Sequence, residues 1–320
     1  MSPHPDSNLH PTATGPAAHT VASHASPEPL KLYSGWFCPF VQRVWLVLEE
    51  KKIPYQYIEV NPYDKPAELL ALNARGLVPT LEVGGVEEGG RRGALYESNV
   101  ICEFLEEAYP DHHGGGASLL PPLSRPFERA RCRIWMDFCS SRIVPAFHRF
   151  LQWQPPTAAA AAAAAAASTA ESRVEKSSTS TEGLAVVREE FLKTLKDFAA
   201  EMLATTNTNK DDASSTTNGP FFLGAQPSLV DFVIAPWILR LWVFDTFKEG
   251  GLGMPAAGEG GADEVLWARL RMWREAVETR PSVRGTMSER EHYVPIYKRY
   301  ADDTAMSELA KASRAGRGVP

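Results

Sequence analysis

Cys38 stands where a short alternating run gives way to a helix, in Ser34-Gly35-Trp36-Phe37-Cys38-Pro39-Phe40-Val41. Pro39 suits the first helical position, because a missing N–H is no loss there. A sulfur just ahead of that position faces unpaired backbone amides and the positive end of the helix. Both favour thiolate over thiol, and cysteines in such settings have pKa values of about 3.5–7.5. Thiolate is the form that attacks a disulfide sulfur. The residue three further on is Val41, not a second cysteine. A mixed disulfide on Cys38 would therefore lack a resolving partner at that position, and an external thiol would have to finish the reaction. The competing reading of Cys38 is a buried structural thiol; the Gly-containing turn and Pro39 favour an exposed nucleophile.

The flanking pattern predicts what holds this residue. Leu30–Tyr33 alternates like a strand. Val41, Val44, Trp45 and Leu48 fall at helical spacing, and Lys51-Lys52 suit the helix end. Strands are expected at Tyr55–Val60, Pro79–Val83 and Ala94–Tyr96, with a Gly-rich polar loop from Gly84 to Gly93. Helices are expected at Pro66–Leu72 and from Ser98, as cap, to about Tyr109. Strands and helices interleaved in this order predict a small α/β domain over residues 30–110. A Gly-rich linker over 111–123 follows. Residues 124–302 read as all-helical, with candidates at Pro126–Phe150, Leu184–Leu203, Ser228–Phe247 and Val265–Glu278. Ser228-Leu229-Val230-Asp231 fits a capping box, a folding signal rather than chemistry. Residues 155–182, with ten consecutive alanines, and the polar stretch 205–218 read as mobile insertions. Residues 1–29 are expected to be a disordered tail and 303–320 a C-terminal tail.

Bulk properties narrow the function classes. The net charge of −6 disfavours a broad nucleic-acid or anionic-membrane surface. No apolar run has the length of a membrane span. The four cysteines show no regular spacing, which predicts free thiols in a reducing, cytoplasmic setting. Cys102, Cys132 and Cys139 sit in helical apolar patterns and are expected in the core. The histidines form no metal-spaced set, so no metal is expected.

Cys38–Val44 with Leu48–Lys51, Asp64-Lys65-Pro66, Leu77–Leu81 and Leu95–Ser98 resemble, in order, the first domain of cysteine-type glutathione transferases. Ser228–Phe232 and Ala235-Pro236-Trp237 resemble the buried helix of that family's second domain. The pattern is shared by the omega class, the plant lambda class and dehydroascorbate reductases, and is most omega-like. It spans roughly Leu30 to Tyr300, the insertions excepted. The resemblance implies a thioredoxin-like N-terminal domain, an all-α C-terminal domain, glutathione as co-substrate and a homodimer. It also implies that Val78-Pro79 is a cis-proline turn whose Val78 backbone pairs with the cysteinyl unit of glutathione. Glu97, Ser98 and the following helix start would meet its γ-glutamyl end. Lys65 would meet the glycyl carboxylate, or stand solvated. Phe40 would pack on the peptide or on the core. Trp237 and Arg240 would lie near a second-substrate pocket, the alternative for Arg240 being a surface ion pair.

These readings predict a glutathione-dependent thiol transferase or reductase, working through a Cys38–glutathione disulfide in deglutathionylation or dehydroascorbate-type reduction. Conventional conjugation, with Tyr33 or Ser34 holding glutathione as thiolate, is the nearest rival. A non-catalytic binding or regulatory module of the same fold is the second. Membrane insertion, as in intracellular chloride channel proteins with a similar motif, is disfavoured by the acidic charge.

Overall fold

A computed structural model describes residues 4, 6–88, 91–110, 118–156, 180–207 and 219–319. The first domain is a four-stranded sheet in the order β2-β1-β3-β4. β1 (Leu30–Ser34) pairs in parallel with β2 (Gln56–Glu59) and antiparallel with β3 (Thr80–Glu88). β3 returns along β4 (Arg91–Tyr96) as a hairpin. Leu32 faces Tyr57 on one side and Leu81 on the other, and Leu81 also faces Leu95. The expected loop from Gly84 to Gly93 is thus largely strand. A register shift between Glu82 and Glu87 lets the glycine-rich stretch stay in the ladder.

α2 (Pro39–Lys51) packs against both the sheet and the helical domain, and Val44 to Leu48 have no exposed surface. Its last turn holds a surprise. Its position in the sequence suits a solvated, dipole-compensating Lys51, but the side chain is fully buried, with Nζ 2.7 Å from Glu106 Oε2. Glu106 also accepts hydrogen bonds from Ser118 Oγ and from the Leu119 and Leu120 amides. The pair therefore ties α2, α4 (Ser98–Ala108) and the entry to the second domain together. The short α3 (Ala67–Leu72) lies beyond β2. Most of the expected linker lies outside the described residues.

The second domain is helical as expected. α5 (Pro126–Phe138) runs through a π-turn, Cys139–Ile143, into α6 (Val144–Gln152). α7 (Ser180–Asn207), α8 (Leu229–Ile238), α9 (Trp242–Phe247), α10 (Glu264–Glu278), α11 (Pro281–Gly285) and α12 (Arg290–Ala301) complete it. Every residue of α8 is buried. The capping box is present: the Ser228 amide and hydroxyl both donate to Asp231 Oδ2 at 2.7 Å. Most of the two expected insertions lies outside the described residues. Their edges, 180–182 and 205–207, belong to α7.

Both expected tails are corrected by the structure. Residues from Asp6 onward pack on the protein, and α1 (Gly15–Ser23) buries Ala17 completely beside α11. Asp6 is 3 % exposed; its carboxylate pairs with Arg299 at 3.3 Å and accepts the Met306 amide at 2.7 Å. At the other end, α13 (Glu308–Arg314) docks on α6 and buries Ala310 and Ala312. Both segments are rich in small and polar residues, so local composition carries no core signal. Their order comes from distant partners, 300 residues away for Asp6 and Met306 and 158 for Ala310 and Gln152, which no local pattern encodes.

Candidate functional site

A cleft of about 620 Å³ opens between the two domains, and Cys38 is on its wall. The local chain explains its position. β1 ends at Ser34, the Cys38 amide closes a turn onto the Gly35 carbonyl at 2.9 Å, and Pro39 begins α2. Cys38 is the N-cap residue, in extended conformation, so its sulfur stands before the first free amides of the helix. The sulfur lies 3.9 Å from the Val78 carbonyl oxygen, and the Val78–Pro79 bond is cis.

The electrostatics differ from the expectation. The Phe40 and Val41 amides do stabilise the thiolate, and the Arg240 and Arg43 guanidiniums add to this. Desolvation is nevertheless the largest influence, and it leaves the Cys38 thiol above the ordinary range. The expected lowering is therefore overturned in the free protein, because the thiol is only part-exposed at the junction of two domains. At neutral pH the thiol form dominates. We expect iodoacetamide to alkylate Cys38 with a rate that rises with pH and a midpoint above that of a free cysteine. A midpoint near pH 6, read by mass spectrometry, would mean that the amides win.

The expected glutathione-site residues converge on the same cleft. Phe40, Lys65, Val78, Pro79, Glu97 and Ser98 all line it. Ser98 is the first residue of α4 rather than its cap, and its hydroxyl accepts from Arg43 Nη1 at 3.2 Å. Glu97 holds the cap position instead, with φ +69°, a strained conformation for a side-chain-bearing residue. Its exposed carboxylate is 3.2 Å from Arg75 Nη1. Lys65 Nζ donates to the Arg75 carbonyl at 2.6 Å. Phe40 meets the core as well as the cleft: its ring packs edge-on against Trp237 at 5.0 Å.

Trp237 and Arg240 do not line the cleft. Arg240 is 1 % exposed and donates to Gln42 Oε1 and to the Pro236 and Phe37 carbonyls. It is neither a surface ion pair nor a substrate contact; it braces the chain just before Cys38. Trp237 carries the Arg43 guanidinium over its ring at 4.5 Å.

Several cleft residues carry no sequence signal. Arg43, though inside the recognised helix, is a junction: besides Ser98 it reaches the Val233 carbonyl, Asn99 and Ser140 of the π-turn. Its apolar neighbourhood in the sequence gives no hint of this. Tyr63, Tyr297, Tyr300 and Leu309 form the far wall. The corrected tails contribute too, since His4 stacks on Tyr63 at 4.8 Å and Met306 to Leu309 line the rim.

An α/β sheet with a cis-proline turn beside a helix-start cysteine, joined to a helical domain across one cleft, defines a glutathione-transferase architecture. The comparisons agree: residues 37–108 match the family model for the glutathione S-transferase N-terminal domain. The chain is 32 % identical over 212 residues to glutathione S-transferase omega-1 of Sus scrofa, covering 66 % of this chain and 67 % of that one. It is 54 % identical over 81 residues to pyrimidodiazepine synthase of Drosophila melanogaster, covering 25 % of this chain and 32 % of that protein. The crystal structure of glutathione transferase Omega 3C from Trametes versicolor superposes with a TM-score of 0.67 at 38 % identity, covering 92 % of this chain and all of that one. The chain belongs to the glutathione S-transferase family. Within it, the chain is omega-class-like.

Proposed function

We propose that this protein is a glutathione-dependent thiol transferase in which Cys38 is the nucleophile. The observation that carries the reading is a part-exposed thiol at the start of α2, on the wall of a cleft with Val78, Glu97, Ser98 and Lys65. The Cys38 thiolate attacks the glutathionyl sulfur of a mixed disulfide R–S–SG. A Cys38–S–SG bond forms, the old S–S bond breaks, and R–S⁻ leaves and takes a proton. A second glutathione thiolate attacks the glutathionyl sulfur on Cys38, releasing oxidised glutathione and regenerating the Cys38 thiolate. A raised pKa lowers the thiolate fraction but makes each thiolate the stronger nucleophile. The helix-start amides and Arg43 stabilise the sulfur anion as it forms and as it leaves.

In this reading Val78 pairs with the cysteinyl backbone of glutathione. Ser98 and the α4 amides receive the γ-glutamyl carboxylate, Glu97 its amino group, and Lys65 or Arg75 the glycyl carboxylate. Deglutathionylation is this chemistry. In dehydroascorbate-type reduction the Cys38 thiolate instead adds to a carbonyl carbon. One glutathione thiolate then attacks the Cys38 sulfur, so that the C–S electron pair and a proton leave with the reduced product, and the Cys38–glutathione disulfide so formed is resolved by a second glutathione as above. Conjugation is disfavoured, because the Tyr33 hydroxyl is buried and donates to Glu82 at 3.2 Å, while Ser34 is fully buried. The test compares a small glutathione mixed disulfide with an aryl halide. The mixed disulfide should turn over at least a hundredfold faster in kcat/KM; a preference for the halide would hand the site to conjugation.

A homodimer fits the same reading. Val100 on α4 and Phe127 and Ile134 on α5 are exposed, and the two helices are joined by the Arg133–Glu103 pair. This apolar face suits a second copy. Sedimentation should give twice the chain mass, and Phe127→Glu should halve it; a wild-type monomer would remove the assembly.

A further inference from the structure

Arg43 is a buried cation on the cleft wall, and none of its partners is an anion. The residue is 2 % exposed. Its five contacts are the Val233 carbonyl at 2.9 Å, Ser98 Oγ at 3.2 Å, Asn99 Oδ1 and Ser140 Oγ at 3.3 Å, and Cys139 Sγ at 3.5 Å. The guanidinium lies over the Trp237 ring at 4.5 Å and the Phe40 ring at 5.2 Å. Among the described residues no carboxylate pairs with it. A guanidinium stays protonated in proteins, and a charge buried without its opposite is destabilising. An anion arriving in the cleft would supply what the protein itself does not.

The same contacts dictate what the neighbours of Arg43 can offer. A guanidinium only donates, so the oxygen that faces it must accept. Ser98 gives Arg43 a lone pair and keeps its hydroxyl proton, for which no acceptor stands among the described residues. Asn99 turns its oxygen to Arg43, which leaves Nδ2 as a donor. One Nδ2 proton goes to Ser140 Oγ at 3.3 Å, and the other is free. Ser140, placed by the π-turn, is fully used: it accepts from Arg43 and Asn99 and donates to the Met136 carbonyl. Ser98 and Asn99 both line the cleft at the start of α4.

We propose that Arg43 is the positioning residue of the γ-glutamyl end of the cleft. It makes donors of the Ser98 hydroxyl and the Asn99 amide, and it holds the buried positive charge that a ligand α-carboxylate neutralises. Donors tethered to a cation bind an anion more strongly than the same groups alone, because each hydrogen bond polarises the next. Asn99 thereby joins Ser98 and the α4 amides as a carboxylate contact.

The assignment rests on the reading of this cleft as a glutathione site, and its test separates the two. Isothermal titration calorimetry of the full chain would use S-methylglutathione, a thioether that forms no disulfide with Cys38. The comparison ligand has 4-aminobutanoyl in place of γ-glutamyl and so loses only the α-carboxylate. Wild type should prefer S-methylglutathione by about thirtyfold, within the range of one hydrogen bond to a charged group. Arg43→Met should narrow the preference to about threefold, while Arg43→Lys, which keeps the charge without the fork, should keep about tenfold. A merely structural Arg43 would weaken both ligands alike in the variants and leave their ratio unchanged. Wild-type affinities within about threefold of each other overturn the assignment whether or not either variant folds. So does an Arg43→Met protein that keeps the full preference, which would leave the carboxylate to the α4 amides alone. Failure of S-methylglutathione to bind wild type sinks the glutathione-site reading and this assignment with it. Binding without a carboxylate preference sinks the assignment alone.

Discussion

Cys38→Ser should lower thiol transfer from a small glutathione mixed disulfide by at least a thousandfold while leaving the melting temperature within a few degrees of wild type. A serine hydroxyl has no accessible anion at neutral pH and forms no disulfide, so the covalent step has no substitute. The sulfur's polar neighbours, the Val78 carbonyl at 3.9 Å and the Phe40 and Val41 amides, are ones a hydroxyl can also meet. Cys102, Cys132 and Cys139 cannot take over. All three are buried, and burial raises their thiols, Cys102 and Cys132 to about 12. Intact mass should therefore show one glutathione added to wild type and none to the variant. A variant that retains a tenth of the wild-type rate would place the nucleophile elsewhere. Gain of aryl-halide conjugation in the same variant is compatible with the site, because a hydroxyl there can hold glutathione as thiolate rather than trap it as a disulfide.

The largest loss of stability should come from a residue remote from the chemistry. Asp231 is fully buried at the start of α8 and accepts four hydrogen bonds. The donors are the Ser228 amide and hydroxyl, the Phe222 amide and the Trp273 indole. Burial raises its carboxyl, and the four donors pull it back. Asp231→Ala strands all of them in a dry core. Each orphaned donor costs about 1–3 kcal/mol, with relaxation offsetting part, so a total near 4 kcal/mol is expected. For a chain of this size that corresponds to a melting temperature lower by roughly 6 °C. Thermal denaturation checks it, and a loss under 3 °C would mean that the network is dispensable. Because α8 also presents the Val233 carbonyl to Arg43, the variant should lose part of its thiol-transfer rate as well.

Two kinds of information separate cleanly in this molecule. The helix-start cysteine, the α/β order, the capping box and the glutathione-site motifs are local. They are written in spacing of three or four residues, in one proline and in one short polar pattern, so they are legible before any folding. Nothing local distinguishes Arg43 from a surface arginine, yet α4, the π-turn and α8 converge on it once α2 lies between sheet and helices. The same holds for Lys51 and for Asp6, whose behaviour depends on surfaces contributed from distant parts of the chain. The sign of the Cys38 shift belongs to this second class. Helix-start amides are a sequence property, but desolvation is set by how closely the second domain covers the sulfur. The chain by itself determined the family it belongs to and which atom is the candidate nucleophile. Only the tertiary structure decided how that atom titrates and which side chains wall its cleft, because burial and long-range contact are properties of packed surfaces, not of neighbours in the chain.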